Sequence, residues 1–346
     1  MAVRRRERRD LLAGALASVA LGAVPGSGDA SAGRPSNRST FDVQGHRGAR
    51  GLAPENTIVG CETALAIGVS TLELDLGMSR DRVLVVHHDR TLNPDVTRRQ
   101  DGRWLEARGP ALLTLRFDEL QAYDVGRLRP GSRYAEAFPQ QRPVDGQPIP
   151  SLEQVFARVA ALGADRIGFN LETKLSPLAP SEAPEPREFA ESLVGLLARH
   201  GLTERCTVQS FDWRTLREAQ RLRPALRTVY LSAEQSGFDT IRAADPEPSP
   251  WTAGRRVASH GSVPAAVADA GGAAWSPHWA DLDPARIEQS HRLGLPVIPW
   301  TVNDPAAMRR LIGWGVDGLI TDRPDLARDA MREAGLPLPA PIAIGR

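Results

Sequence analysis

The sequence predicts an α/β protein, a (β/α)8 TIM-type barrel with a β-hairpin after its second strand and a long insertion at the active face. Three observations predict it. Eight short apolar segments, at 42–47, 71–78, 166–173, 206–210, 226–231, 273–276, 296–302 and 317–321, alternate with helical stretches, the order that a parallel sheet with crossover helices requires. In Thr71-Leu72-Glu73-Leu74-Asp75-Leu76 leucines and carboxylates alternate, so the leucines face outward to the helices and the carboxylates point into the barrel. Residues 89–150 are rich in Pro, Gly and Arg and carry little periodicity beyond a short helical stretch, Leu115 to Tyr123. A long insertion of this kind forms a lid or wall over a site. A second weak stretch, 232–262, reads as a loop excursion rather than a domain.

The chain has 346 residues, 41% hydrophobic and 25% charged, with a net charge of +1. That is the composition of a globular protein, and the near-zero charge removes the basic footprint of a general nucleic-acid binder. Its two cysteines, Cys61 and Cys206, are too few for a disulfide framework or a zinc-thiolate site and are expected as buried free thiols. One lysine, Lys174, stands against 42 arginines, and asparagine occurs only at 37, 56, 93, 170 and 303. Ammonium and guanidinium are not interchangeable, so the surviving lysine marks a place where arginine fails.

Residues 1–32 read as an export leader. Arg4, Arg5, Arg6, Arg8 and Arg9 precede the uncharged run Leu11 to Val24, and Ala30-Ser31-Ala32 follows, the layout of a signal peptide. The apolar run is 14 residues long, short of the roughly 20 needed to span a bilayer. Arg8-Arg9 resembles a twin-arginine export signal, which predicts a periplasmic or secreted protein. No cysteine lies near the cleavage region, so no lipid anchor is expected. Removing the leader's five arginines and three acids leaves 38 bases against 39 acids on 314 residues. Residues 33–41 are expected as a flexible mature N-terminus, 42–330 as the barrel domain with insertion 89–150, and 331–346 as a C-terminal tail.

The inward parity of the second strand joins Glu73 and Asp75, and the same argument places Asn170, Glu172 and Lys174 on one face of the third. Carboxylates packed together repel unless protonated or neutralised by a cation. Three of them without a cysteine point to one hard divalent cation, Ca²⁺ or Mg²⁺. After Asp75 the chain turns through Arg80-Asp81 into Leu84-Val85-Val86-His87-His88-Asp89. A two-residue turn there pairs Glu73 with His88, and a shift of one residue pairs Asp75 with His88. Either register brings His88 to the carboxylates and leaves His87 an outward spectator. The first strand puts Gln44 and His46 on one face, followed by Arg47-Gly48 and the loop Pro54-Glu55-Asn56-Thr57, where Asn56 or Thr57 also suits a helix cap. Two histidines at a cation site supply a base and an acid. Together with Arg47 and Lys174 to hold a phosphate, they predict phosphoryl transfer.

HRGARGLAPENT from His46, the ExD of Glu73 and Asp75, His88-Asp89, the ExK of Glu172 and Lys174, QSF at Gln209 to Phe211, WTVN at Trp300 to Asn303 and GLITDRPD from Gly318 together resemble the glycerophosphodiester phosphodiesterase family, in its bacterial periplasmic form, over about residues 42–330. The resemblance implies that Glu73, Asp75 and Glu172 are metal ligands and that His46 and His88 are the acid/base pair. Arg47 and Lys174 then bind phosphate, and Glu55, Asn56, Gln209, Trp300 and Asn303 support the site. It further implies hydrolysis of a small-molecule glycerophosphodiester to sn-glycerol 3-phosphate and an alcohol through a cyclic phosphate. Which histidine is base and which acid does not follow from the sequence; His46 as base and His88 as acid is the preferred assignment. No stable membrane anchor, nucleic acid or obligate protein partner is expected. Arg82 stands where a hairpin glycine is common. Phospholipase C- or D-like activity on intact lipids, or an inactive cell-surface binding protein on the same barrel, are the competing readings. The complete ligand set and both histidines favour the enzyme, and Trp104, Phe117, Tyr123 and Tyr134 of the insertion are scattered among charges rather than gathered into an apolar rim.

Overall fold

The computed structural model describes residues 40–345; the leader, 1–32, and nearly all of the expected flexible segment 33–41 lie outside them. In chain order the strands are β1 Asp42–His46, β2 Thr71–Met78, β3 Leu84–Val86, β4 Arg98–Arg99, β5 Tyr123–Asp124, β6 Gly168–Thr173, β7 Cys206–Ser210, β8 Arg227–Ser232, β9 Glu234–Gln235, β10 Phe238–Asp239, β11 Ala274–Pro277 and β12 Gly318–Thr321. The helices are α1 Ile58–Ile67, α2 Phe117–Leu120, α3 Arg133–Ala137, α4 Leu152–Ala161, α5 Pro186–Arg199, α6 Trp213–Leu222, α7 Val263–Asp269, α8 Pro284–Arg292, α9 Pro305–Trp314 and α10 Pro324–Glu333.

Seven strands run in the order β11-β8-β7-β6-β2-β1-β12, each pair parallel, with β3 antiparallel on β2. The stave between β11 and β12 is the expected segment 296–302, which is not a regular strand. Pro296 and Pro299 have no N–H to give to a ladder. The segment still closes the barrel: Ile298 and Trp300 donate their N–H to the carbonyls of Trp275 and Pro277, while Asp317 and Ile320 donate to those of Val297 and Pro299. The outward leucines Leu72, Leu74 and Leu76 are fully buried in one core with Leu193, Leu197, Trp213 and Leu216 of the surrounding helices. Glu73, Asp75 and Asn170 are equally buried on the opposite, inner face.

Three expectations are corrected. The hairpin pairs Leu76 with Val86, Gly77 with Val85 and Met78 with Leu84, midway between the two expected registers. Its loop has three residues, Arg80 to Arg82, closed by Ser79 N–H on Val83 O at 3.0 Å, and Arg82 takes φ 68°, the left-handed position where a three-residue loop favours glycine. Phe41 is buried in the core, so ordered chain begins before 42. The C-terminal segment is not a free tail: α10 runs to Glu333, Leu336, Leu338, Ile342 and Ile344 pack on the core, and Ile342 N–H donates to Leu65 O at 2.9 Å.

The insertion has a small core of its own, Leu92, Leu105, Leu112, Leu120, Val125 and Ile149 with Val85 of the hairpin, and one short antiparallel pair, β4 with β5. The stretch 232–262 is a loop carrying the β9–β10 hairpin. Cys61 and Cys206 are free and buried, and burial pushes both thiols up to about 12.

Candidate active site

The parallel register sets the site in layers: His46 is level with Glu73, and Asp75 with Glu172 and Gln209. Ligand oxygens of Glu73, Asp75 and Glu172 lie within 4.8 Å of one another, all three residues buried. Glu73 accepts from Gln209 Nε2 at 2.7 Å on Oε1 and from Arg47 N–H at 2.9 Å on Oε2. Asp75 is gripped by Asn56, whose Nδ2 donates to its Oδ2 at 2.8 Å and whose Oδ1 accepts its N–H at 3.2 Å. Burial, with the neighbouring carboxylates, pushes Glu73 well above the usual range, and burial raises Glu172 to about 7 despite Lys174. Burial acts in the same direction on Asp75, but Arg47 and Lys174 overrule it and hold that carboxyl well down. A divalent cation among three oxygen donors relieves this repulsion, so the residues fit one.

Each histidine is backed by an aspartate. His46 Nδ1 lies 2.6 Å from Asp322 Oδ1, and its Nε2 faces Glu73 Oε2 at 3.9 Å. Asp322 also accepts from Arg50 Nε at 2.7 Å and from Asn303 Nδ2 at 2.6 Å. His88 Nδ1 lies 2.8 Å from Asp89 Oδ1, and Asn93 Nδ2 holds the other oxygen at 2.6 Å. Binding Nδ1 in this way orients the ring and leaves Nε2 for chemistry. Burial lowers His46 to about 4 against the pull of Asp322. His88 is lowered to about 4 by burial and by Arg47 and Lys174, although its ring stays 31% exposed at the mouth. His87 is not an outward spectator. Its N–H pairs with Asp75 O, its ring is buried, and its Nε2 has no partner. Paired residues share a face, so the true register by itself would favour His87; the strand ends at Val86, the chain bends, and His88 reaches the pocket instead.

The pocket, about 190 Å³, is lined by His46, Arg47, His88, Lys174, Phe211 and Trp300 among others. Lys174 Nζ sits 2.6 Å from Glu172 Oε1 and 3.5 Å from Asp75 Oδ1, 6.0 Å above the Phe211 ring. Phe211 packs edge-on against Trp300 at 5.1 Å. Arg47 Nε approaches Asp75 Oδ2 at 3.1 Å. A larger groove, about 690 Å³ along Leu52, Val59, Thr63 and Val144, gathers no carboxylate or histidine.

Arg47 and Asn56 both hold positive φ, 52° and 53°, a cost tolerated where surrounding contacts over-determine the backbone. Gly48 follows at φ 85°, and a Cβ there would meet the Gly60 backbone at 2.6 Å. The loop can therefore lie against α1 and aim the Arg47 side chain inward. Glu55 accepts from Arg47 Nη1 at 2.8 Å. Tyr134, on α3 of the insertion, donates its OH to Glu55 Oε2 at 2.5 Å and accepts from Arg47 at 3.1 Å and Arg50 at 3.2 Å. The insertion is thus a wall of the site. Every site residue expected from sequence is assembled here, with Asn303 acting through Asp322 and Gln209 through Glu73. Sequence reasoning missed Arg50, Asp322 and Tyr134. The first two stand inside the quoted HRGARG and GLITDRPD strings, whereas no sequence signal singles out Tyr134.

The pattern of the glycerophosphoryl diester phosphodiesterase family matches residues 46–326, which span both histidines and all three carboxylates. The chain belongs to this family. A glycerophosphodiester phosphodiesterase of Bacillus subtilis is 30% identical over 286 residues, 81% of this chain and 83% of the relative. One from Caldanaerobacter subterraneus is 26% identical over 294 residues, 85% of this chain and 98% of the relative. Among solved structures, a candidate family member from Silicibacter pomeroyi superposes with a TM-score of 0.77 at 35% identity, covering 86% of this chain and 95% of that one. An Oleispira antarctica phosphodiesterase, solved with the product sn-glycerol-3-phosphate, shares the fold at 23% identity and a TM-score of 0.61, covering 85% and 97%. As a member of the glycerophosphodiester phosphodiesterase family, the chain is a phosphoric diester hydrolase.

Proposed function

We propose that the protein hydrolyses small glycerophosphodiesters to sn-glycerol 3-phosphate and an alcohol by acid/base catalysis between His46 and His88. One observation carries this reading: two rings, each held at Nδ1 by an aspartate, face a three-carboxylate cluster flanked by Arg47 and Lys174. Glu73, Asp75 and Glu172 would hold a Ca²⁺ or Mg²⁺ ion, which when bound supplies Lewis-acid polarisation of substrate oxygens. His46, neutral because buried, takes the proton of the glycerol 2-hydroxyl at Nε2, and the freed oxygen attacks phosphorus. His88 delivers a proton to the departing alcohol. The diester's negative charge beside the His88 ring favours its charged form, which offsets its lowered value. Water then opens the cyclic phosphate with the two roles exchanged. Arg47 and Lys174 balance the charge of the phosphate, and Phe211 and Trp300 give the glycerol an apolar wall. The Oleispira relative binds the same product.

No described helix is long and apolar enough to cross a membrane, and the leader reading makes the protein an exported, periplasmic or secreted enzyme acting on a small molecule. The test is a panel of glycerophosphocholine, glycerophosphoethanolamine, glycerophosphoglycerol and glycerophosphoinositol, read by a coupled assay for sn-glycerol 3-phosphate with and without EDTA. Release that stops with EDTA and returns with Ca²⁺ or Mg²⁺ is expected. Full activity in EDTA, or release of the phosphorylated head group instead, refutes the reading.

A further inference from the structure

The interior of a (β/α)8 barrel is ordinarily filled with branched aliphatic side chains. Beside and below the carboxylate cluster this barrel carries amides. Asn170 is fully buried, and Gln44 and Gln209 are 2% and 1% exposed. Asn170 Nδ2 donates to Gln44 Oε1 and to Gln209 Oε1, both at 2.8 Å, and Thr207 Oγ1 donates to Asn170 Oδ1 at 2.8 Å. From this hub one arm runs toward the active face, where Gln209 Nε2 donates to Glu73 Oε1 at 2.7 Å. The other runs to the opposite mouth, where Gln44 Nε2 donates to Asp42 Oδ2 at 2.7 Å at the start of β1.

The polarity of the chain is forced. As a cation ligand Glu73 is ionised and only accepts hydrogen bonds, so Gln209 turns its NH₂ to Glu73 and its carbonyl to Asn170. Asn170 then spends both of its N–H groups outward, and the Thr207 hydroxyl satisfies its oxygen. Were the Gln209 amide reversed, its oxygen would face a carboxylate oxygen. Filling the space does not require this: apolar side chains of like volume would fill it without desolvating three amides.

We propose that Asn170, whose side chain makes no hydrogen bond to the carboxylate cluster, is a positioning residue for the cation site. It locks Gln209 in one amide orientation, and Gln209 fixes the Glu73 carboxylate so that its remaining lone pairs converge with those of Asp75 and Glu172. The proposal rests on Glu73 being a metal ligand, as argued above. Groups that orient metal ligands act on affinity while touching no metal themselves, so the effect appears without substrate.

Isothermal titration of the folded protein with Ca²⁺ or Mg²⁺ alone tests it, beside a melting curve of the metal-free form. Asn170→Leu removes the hub, Gln209→Met removes the arm to Glu73, and Gln44→Leu removes the other arm at similar burial. The first two are expected to raise the metal Kd roughly 10- to 100-fold, with Gln44→Leu within about twofold of wild type although its Tm falls. Should Asn170→Leu fail to fold, Asn170→Ala, which removes both donors without adding charge, takes its place beside Gln209→Met. Wild-type affinity in a folded hub variant or in Gln209→Met overturns the proposal, as does a Gln44→Leu variant weakened as much as Asn170→Leu. A wild-type protein that binds neither cation refutes the metal site itself.

Discussion

Replacing Lys174 by arginine keeps the charge and changes the shape. The Lys174 ammonium lies 3.5 Å from Asp75 Oδ1 and closer still to Glu172, with its side chain 11% exposed. Two unit charges at that separation attract by about 5 kcal/mol at an effective dielectric constant of 20, and a guanidinium in the same place retains most of this. Charge alone therefore predicts almost no change. Geometry predicts a large one, because the terminal nitrogens of arginine extend one C–N bond, about 1.33 Å, beyond the position of Nζ, and the carboxylates and Phe211 already surround that position. A displacement near 1 Å among reacting groups costs about a hundredfold in rate, equivalent to about 2.7 kcal/mol of transition-state stabilisation. Lys174→Arg is thus expected to lower kcat/KM about a hundredfold while the metal-free Tm changes little. Steady-state kinetics in the coupled assay and a melting curve measure both. A variant within about threefold of wild-type kcat/KM would refute the reasoning and return Lys174 to the role of a generic cation.

His46→Gln and His88→Gln should each lower kcat by roughly 10² to 10⁴, and the wild-type pH profile should be bell-shaped, reporting the pair rather than either ring. His87→Gln should lower the Tm with kcat nearly unchanged; a loss as severe as that of His88→Gln would make His87 part of the chemistry. Glu73→Gln, Asp75→Asn and Glu172→Gln should each weaken Ca²⁺ and Mg²⁺ binding measured by titration, and unaltered affinity would remove that residue from the ligand set. Tyr134→Phe deletes one hydroxyl shared by Glu55, Arg47 and Arg50, and a lost hydrogen bond to charged groups should raise KM roughly tenfold or more; an unchanged KM would show that the insertion merely covers the site. Replacing Arg8 and Arg9 by lysine should block export, since the twin-arginine route reads the pair as an address rather than as charge; export at the normal level excludes that route.

The barrel, its three inward carboxylates and His46 were legible in the sequence because strand parity is a local property. Leucine alternating with Glu73 and Asp75 leaves one consistent way to bury the apolar face, and a lone lysine in an arginine-rich chain marked Lys174 before any contact was known. Features that depend on more than one segment were not legible. The register of the β2–β3 hairpin turned on Arg82 accepting a left-handed backbone. The choice of His88 over His87 turned on where β3 ends, so the expected residue reached the pocket for a different reason. The seventh stave lost its regular ladder to Pro296 and Pro299 and closed the barrel through carbonyls and alternate amides. Asp322 lies 276 residues from His46 and Tyr134 79 residues from Glu55; periodicity has no reach over such separations, since only closing the barrel and folding the insertion across its first loop bring them together. Parity placed Asn170 inside, but only the packed interior, where its amide finds an acceptor for each of its two donors, decided what it holds.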